Sequence, residues 1–191
     1  RTPVTGVPFY EAEKSQTARA TQLLNAGLAA QKRGKHDEAL KAFRSSYGVV
    51  RTPEARVEIV RALGALGRHI EAYREAVEAL DEAEQAAGAD PDKYGATAQA
   101  AQAELEAAAQ KVALVVVNVR GDRSGAALVV NGIVVDLADW GRPIPVEAGP
   151  VEAALTNSEG ELTETAQATV GQIMEIGIGK EAPAAAPKPR P

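Results

Sequence analysis

His36 and His69 are the only histidines in the chain, and a pair of imidazoles could ligate a metal or work as an acid/base couple. They lie 33 residues apart, at the same place in two similar stretches, so both read as packing residues. Equivalent residues of stacked helix pairs sit roughly 10 Å apart, the helix–helix distance scale, which is too far for joint ligation. Ser45, Ser46, Ser124 and Ser158 could act as nucleophiles, but none stands in an elbow motif that holds such a hydroxyl beside a base. Gly177-Ile178-Gly179-Lys180 resembles a phosphate loop only superficially: Met174 replaces the upstream Gly, and Glu181 stands where Ser or Thr would bind magnesium. Asp136 and Asp139 lack the oxygen spacing of a calcium loop and read as solvated turn carboxylates. Trp140, the only Trp, either covers one end of a core or anchors a ligand. Core cover is the favoured reading, and Trp140 is kept as a candidate contact of the region around it. No catalytic residue, metal ligand or cofactor is expected, and the chain does not read as an enzyme.

The composition sets the frame for these residues. The chain has 191 residues, 45% hydrophobic and 25% charged, as in ordinary soluble proteins. Aromatics make up 4%, so the core must be built mainly from Ala, Val, Leu and Ile. The net charge of −5 is unevenly spread: residues 1–111 carry −1, residues 112–179 carry −6 and residues 180–191 carry +2. No part has the basic excess that a phosphate backbone selects, so a nucleic-acid partner is not expected. Cysteine is absent, which excludes disulfides, thiolate metal sites and a Cys nucleophile. No apolar run approaches the ~18 residues of a membrane helix. The chain opens at Arg1 without an initiator Met, and is expected to be a processed or trimmed product that could have lost a signal peptide.

The two similar stretches are Gly34-Lys35-His36-Asp37-Glu38-Ala39-Leu40-Lys41-Ala42-Phe43 and Gly67-Arg68-His69-Ile70-Glu71-Ala72-Tyr73-Arg74-Glu75-Ala76. Such a period marks stacked helix pairs. Around it, apolar residues recur at spacings of three and four up to about residue 111, so residues 1–111 read as a helical region. Gly34 and Gly67 fall where one helix should end, because Gly tolerates the positive φ of that turn. Asp90-Pro91-Asp92 is a helix-start signal and opens a last helix over about 93–110. The period then changes. Ala113–Val119 reads as a buried strand, and Asn131-Gly132 between two Val-rich runs reads as a type I′ hairpin. Pro143-Ile144-Pro145-Val146 reads as an edge strand, followed by strands over 151–156, 161–170 and 172–178. About six short strands predict a small antiparallel sandwich over 112–179. Residues 180–191, rich in Pro and Ala, read as an extended linker leading to something further.

The helical region resembles the tetratricopeptide repeat (TPR) family. Leu23, Ala26, Gly27 and Ala30, then Gly34, Ala39 and Phe43, stand at that family's packing positions in a first repeat from about Ala20 to Pro53. Ser46 replaces the usual second small Ala. The second repeat keeps Ile59, Gly67, Ala72 and Ala79, but departs at Arg56, Val60 and Ala76. The helix over 93–110 would cap the stack. The strand region resembles the PEGA family through Val115–Val119, Gly125-Ala126-Ala127-Leu128-Val129-Val130-Asn131-Gly132 and Trp140-Gly141-Arg142-Pro143-Ile144-Pro145-Val146-Glu147-Ala148-Gly149. Together these resemblances imply an α+β protein of two domains: TPR-like antiparallel helical hairpins with a capping helix, then an antiparallel β-sandwich.

The resemblance implies a scaffold of the periplasm or cell envelope of Gram-negative bacteria. Its partner would be a protein, and membrane contact would come only from an anchor outside this chain. By carry-over from the family, the concave face would present Thr21, Asn25, Leu28 and Lys32 from the first repeat and Glu54, Glu58 and Arg61 from the second. The Lys/Asn set that clamps a peptide carboxylate in chaperone-binding members is absent. A second reading makes the acidic strand domain, with Trp140, a cell-wall glycan or peptide binder, the helices serving to dimerise it.

Overall fold

The structure is a computed structural model, and it describes residues 6–179 other than Asp122 and Glu159. The expected linker over 180–191 lies outside the described residues, as does Lys180 of the phosphate-loop-like run. The chain is α+β and divides into two compact units between Lys111 and Val112.

The helical unit holds α1 (Lys14–Lys32), α2 (His36–Val49), α3 (Pro53–Ala65), α4 (His69–Ala89) and α5 (Pro91–Ala109), each packed on the next. The echo at Gly34 and Gly67 is one turn used twice. Their φ angles are 73° and 72°, in the left-handed region open to Gly. After α1, Gly34 N donates to Gln31 O (2.9 Å) and Lys35 N to Ala30 O (3.0 Å). After α3, Gly67 N donates to Gly64 O and Arg68 N to Leu63 O, both at 3.0 Å. This is the Schellman arrangement, which satisfies carbonyls that a helix end leaves orphaned. Thr52 and Asp90 cap α3 and α5, each followed by a Pro at the first helical position.

The two helices of the first pair lie close because Gly27 has no side chain. A Cβ placed there would stand 2.4 Å from the Phe43 ring. Phe43 thus fills the space Gly27 leaves, among Ala30, Ala39, Leu40, Ile59 and Leu63. Ser46 is buried and donates to Ala20 O at 2.8 Å.

Spacing rules missed a short parallel ladder in this unit, between β1 (Val7–Pro8) and β2 (Val50–Arg51). It ties the residues preceding α1 to the α2–α3 corner. Gly6 passes so close that a Cβ would come within 2.2 Å of Tyr47 O, and the Phe9 ring packs 5.1 Å from that of Tyr94.

The β unit has seven strands: β3 (Ala113–Val119), β4 (Ala127–Val130), β5 (Ile133–Val135), β6 (Ile144–Val146), β7 (Gly149–Asn157), β8 (Gly160–Ala168) and β9 (Ile173–Ile178). They form a four-stranded sheet in the order β5-β4-β7-β8 and a three-stranded sheet in the order β6-β3-β9. Inward residues of both sheets, among them Val115, Val117, Ile176, Leu128, Val151 and Leu155, share one apolar cluster. Asn131 and Gly132 have φ of 49° and 77°, as a type I′ hairpin requires. β6, the run with two prolines, lies at a sheet edge.

One pairing departs from the antiparallel expectation: β9 runs parallel to β3, from Leu114↔Ile173 to Val119↔Ile178. A short turn leads from β8 into β9, yet the two do not form a hairpin. The turn is pinned to the start of β3 instead: Gly171 N donates to Val112 O (2.8 Å) and Leu114 N to Gln172 O (3.0 Å). Those bonds carry the chain from one sheet to the other and set the register of β9.

Candidate functional site

Thr21, Asn25 and Lys32 are exposed on α1, whereas Leu28 is half-buried and packs on the helical core. Thr21 and Asn25 face an open hollow along α1 together with Thr17, Ala18 and Gln22. The Thr21 hydroxyl donates back to Thr17 O at 2.9 Å, so its donor is spent locally.

The α3 residues are held differently. Arg61 Nη1 donates to Glu58 Oε1 at 2.6 Å and Arg61 Nε to Glu104 Oε1 of α5 at 2.7 Å. The hydrogen bond that Arg61 donates to Glu104 leads in holding its charge, and the Arg61 pKa lies above the ordinary guanidinium value. Glu54 sits one turn earlier on the same helix and adds to the field that favours the Lys93 ammonium. The structure therefore gathers Glu58 and Arg61 with Glu104, a residue the carry-over did not include. None of the α3 residues lines the hollow that holds Thr21 and Asn25.

Arg56 stands where the repeat pattern calls for an apolar side chain, and it is 5% exposed. Its Nη2 donates to Tyr47 Oη (2.7 Å) and its Nη1 to Glu78 Oε2 (3.4 Å). Its Nε faces Glu82 Oε2 at 3.3 Å and Glu75 Oε2 at 4.0 Å, as ion pairs without hydrogen-bond alignment. Tyr47 Oη in turn donates to Glu82 Oε1, and the guanidinium lies 4.7 Å from the centre of the Tyr47 ring. Burial opposes the Arg56 charge, but Glu82, Tyr47, Glu75 and Glu78 outweigh it and raise its pKa. Burial, then the bond to Glu82, pushes the Tyr47 phenol far above its usual value. The signal was present in the sequence. Glu75, Glu78 and Glu82 recur at spacings of three and four, which puts three carboxylates on one face of α4.

The remaining candidates stay apart. His36 and His69 each open a helix, half-buried, as packing residues would. Ser46 is spent on Ala20 O, Ser45 and Ser158 are exposed, and Ser124 lies in a turn. Asp136 and Asp139 flank the short 3-10 turn Leu137–Asp139, and among the described residues no group of three or more His, Cys, Asp or Glu could hold a metal ion. Trp140, read from the sequence as core cover and kept as a candidate β-region contact, packs with the apolar cluster of the β unit. It is 9% exposed, and its Nε1 donates to Val135 O at 3.1 Å. Its ring covers the core and its one donor is occupied. Among the described residues no helix is long and apolar enough to cross a membrane.

These observations define an α+β protein of two units whose polar chemistry gathers on α3, α4 and α5. Comparison with protein-family models, curated proteins and solved structures found no match.

Proposed function

We propose that this chain is a non-enzymatic interaction scaffold of the bacterial cell envelope. Its helical unit is a TPR-like module that binds a segment of a partner protein, and its β unit is a PEGA-like domain that spaces or docks it within an assembly. The observation that carries the reading is the repeated Schellman turn at Gly34 and Gly67, with successive helices packed in order. Repetition of one packing unit builds an extended surface rather than an enclosed pocket. The residues proposed for partner contact remain Thr21, Asn25, Leu28 and Lys32 on α1 and Glu54, Glu58 and Arg61 on α3. The envelope localisation rests on the resemblance of the two regions taken together. The rival reading is cell-wall binding by the β unit, where Trp140 packs with the core and donates to Val135 O.

The test is cross-linking in native membranes followed by pull-down, comparing the unaltered chain with Arg61→Gln and Glu58→Gln. The expected outcome is a partner whose recovery drops in both variants. The same recovery from all three proteins would remove α3 from the proposed surface. Sedimentation with purified cell wall checks the rival: pelleting of the full chain by cell wall alone would favour it.

A further inference from the structure

A second site, built from other residues than the proposed groove, lies in the helical unit where the segment before α1 meets α4. It is a cavity of about 310 Å³, walled by Phe9, Tyr10 and Pro53 on its apolar side and by Arg51, Gln85 and Glu82 on its polar side. Tyr10 is 74% exposed at the rim, an aromatic side chain left in water.

The polar groups divide sharply. Glu82 is spent: Oε1 accepts from Tyr47 and Oε2 faces Arg56. Gln85 donates its amide to Asp81 Oδ2 at 2.9 Å, which leaves its carbonyl oxygen. Arg51 is not spent. Its Nε is buried without a hydrogen-bond partner, and its guanidinium makes no hydrogen bond or ion pair among the described residues. A buried donor left unmade is costly, and a guanidinium is best satisfied by a carboxylate meeting two of its N–H groups. The residual valence of the cavity is therefore one cationic donor beside an aromatic and prolyl wall.

We infer that this cavity is a docking site for a peptide segment of a partner protein in which a carboxylate sits beside an apolar side chain. Arg51 takes the carboxylate, and Phe9, Tyr10 and Pro53 take the apolar group. Charge complementarity selects the occupant. The one carboxylate of the wall, Glu82, already accepts from Tyr47 and pairs with Arg56, so Arg51 is the charged group of the cavity left without a partner among the described residues. The volume suits one or two side chains and lies at the lower end of ligand cavities.

The test is titration of the full-length ¹⁵N-labelled protein with acetyl-Ala-Phe-Glu-Ala-amide, with its Gln counterpart, and with N-acetylphenylalanine as a free small acid. The Glu peptide is expected to shift amides at Phe9, Tyr10, Arg51 and Gln85. The Gln peptide should bind about tenfold more weakly, as loss of a charge-assisted hydrogen bond implies. Arg51→Gln should weaken the Glu peptide equally, and raised salt should weaken it further. Equal binding of the two peptides, or no shifts at these four residues, overturns the proposal without recourse to a variant. N-acetylphenylalanine binding as tightly as the peptide overturns the peptide assignment in favour of a free acid. Arg61→Gln, which touches the proposed groove, should leave this binding unchanged, so either site can fail without the other.

Discussion

The two units solve the problem of a core poor in aromatics in opposite ways. The β unit buries aliphatic side chains of both sheets in one cluster, with Trp140 as its lid and no buried charge among the described residues. The helical unit buries far more alanine. It brings helices close through Gly27 and a run of buried alanines, and it sinks a guanidinium among carboxylates where another apolar side chain could have gone. Apolar burial is non-directional and tolerates rearrangement, whereas a buried charge is stable only with its partners in place. The helical unit therefore depends more on exact neighbours, and the β unit more on area.

Probes of two kinds can break this contrast. Trp140 fluorescence reads the β unit, and circular dichroism at 222 nm reads the helices. Arg56→Ala should have the largest effect, about 3–5 kcal/mol lost from the helical transition in urea, because it removes the buried guanidinium that Glu82 and Tyr47 meet. Trp140 fluorescence should report no matching loss; an equal shift in both signals would show that the units do not differ as described. Leu155→Ala should invert the pattern, with a loss of about 2–5 kcal/mol read by Trp140, since Leu155 is fully buried in the β cluster. Gly27→Ala should lower the helical transition by about 1–3 kcal/mol, as the added methyl collides with Phe43. A silent Gly27→Ala would mean that the close approach of α1 and α2 relaxes freely.

The smallest effect is a pH dependence confined to one unit. All four tyrosines lie in the helical unit, at positions 10, 47, 73 and 94. The folded state raises the pKa of Tyr47, through burial and Glu82, and of Tyr73, through burial. Above the ordinary phenol pKa of about 10, the unfolded chain releases protons that the folded unit retains. The stability these groups contribute is thus complete below that pH and is lost as pH rises through the folded values. Residues 112–179, which hold all the strands of the β unit, contain no Tyr, Lys, His or Cys to titrate there. Urea titrations at pH 9 and pH 11 should move the 222 nm midpoint down and leave the Trp140 midpoint in place. Movement of the Trp140 midpoint alone would contradict the assignment.

Much of the fold was legible because its punctuation is local. The positive φ of Gly34, Gly67, Asn131 and Gly132 is a property of those residues in those turns, and so are the caps at Thr52 and Asp90. Gly27 and Phe43 were each marked in the sequence as packing positions, but their contact came from the structure. The parallel course of β9 was not legible: it depends on Gly171 finding Val112, a partner 59 residues away. The candidate surface was half legible. Carry-over named Glu58 and Arg61, and the structure joins Glu104 to Arg61 from a helix outside the two repeats. Arg56 was visible only as a break in the pattern. Its meaning came from Tyr47 before it and three carboxylates after it.

By itself, the sequence determined the helix pairs, their turns, the hairpin and the change of period near residue 111. Each of these follows from backbone preferences and side-chain spacing within a few residues. Only the tertiary structure decided where β9 pairs, how the segment before α1 joins β2, which carboxylates meet Arg56, and that the Arg51 guanidinium is left without a partner among the described residues. Those outcomes turn on which unsatisfied groups meet when distant segments pack, and no local spacing encodes that meeting.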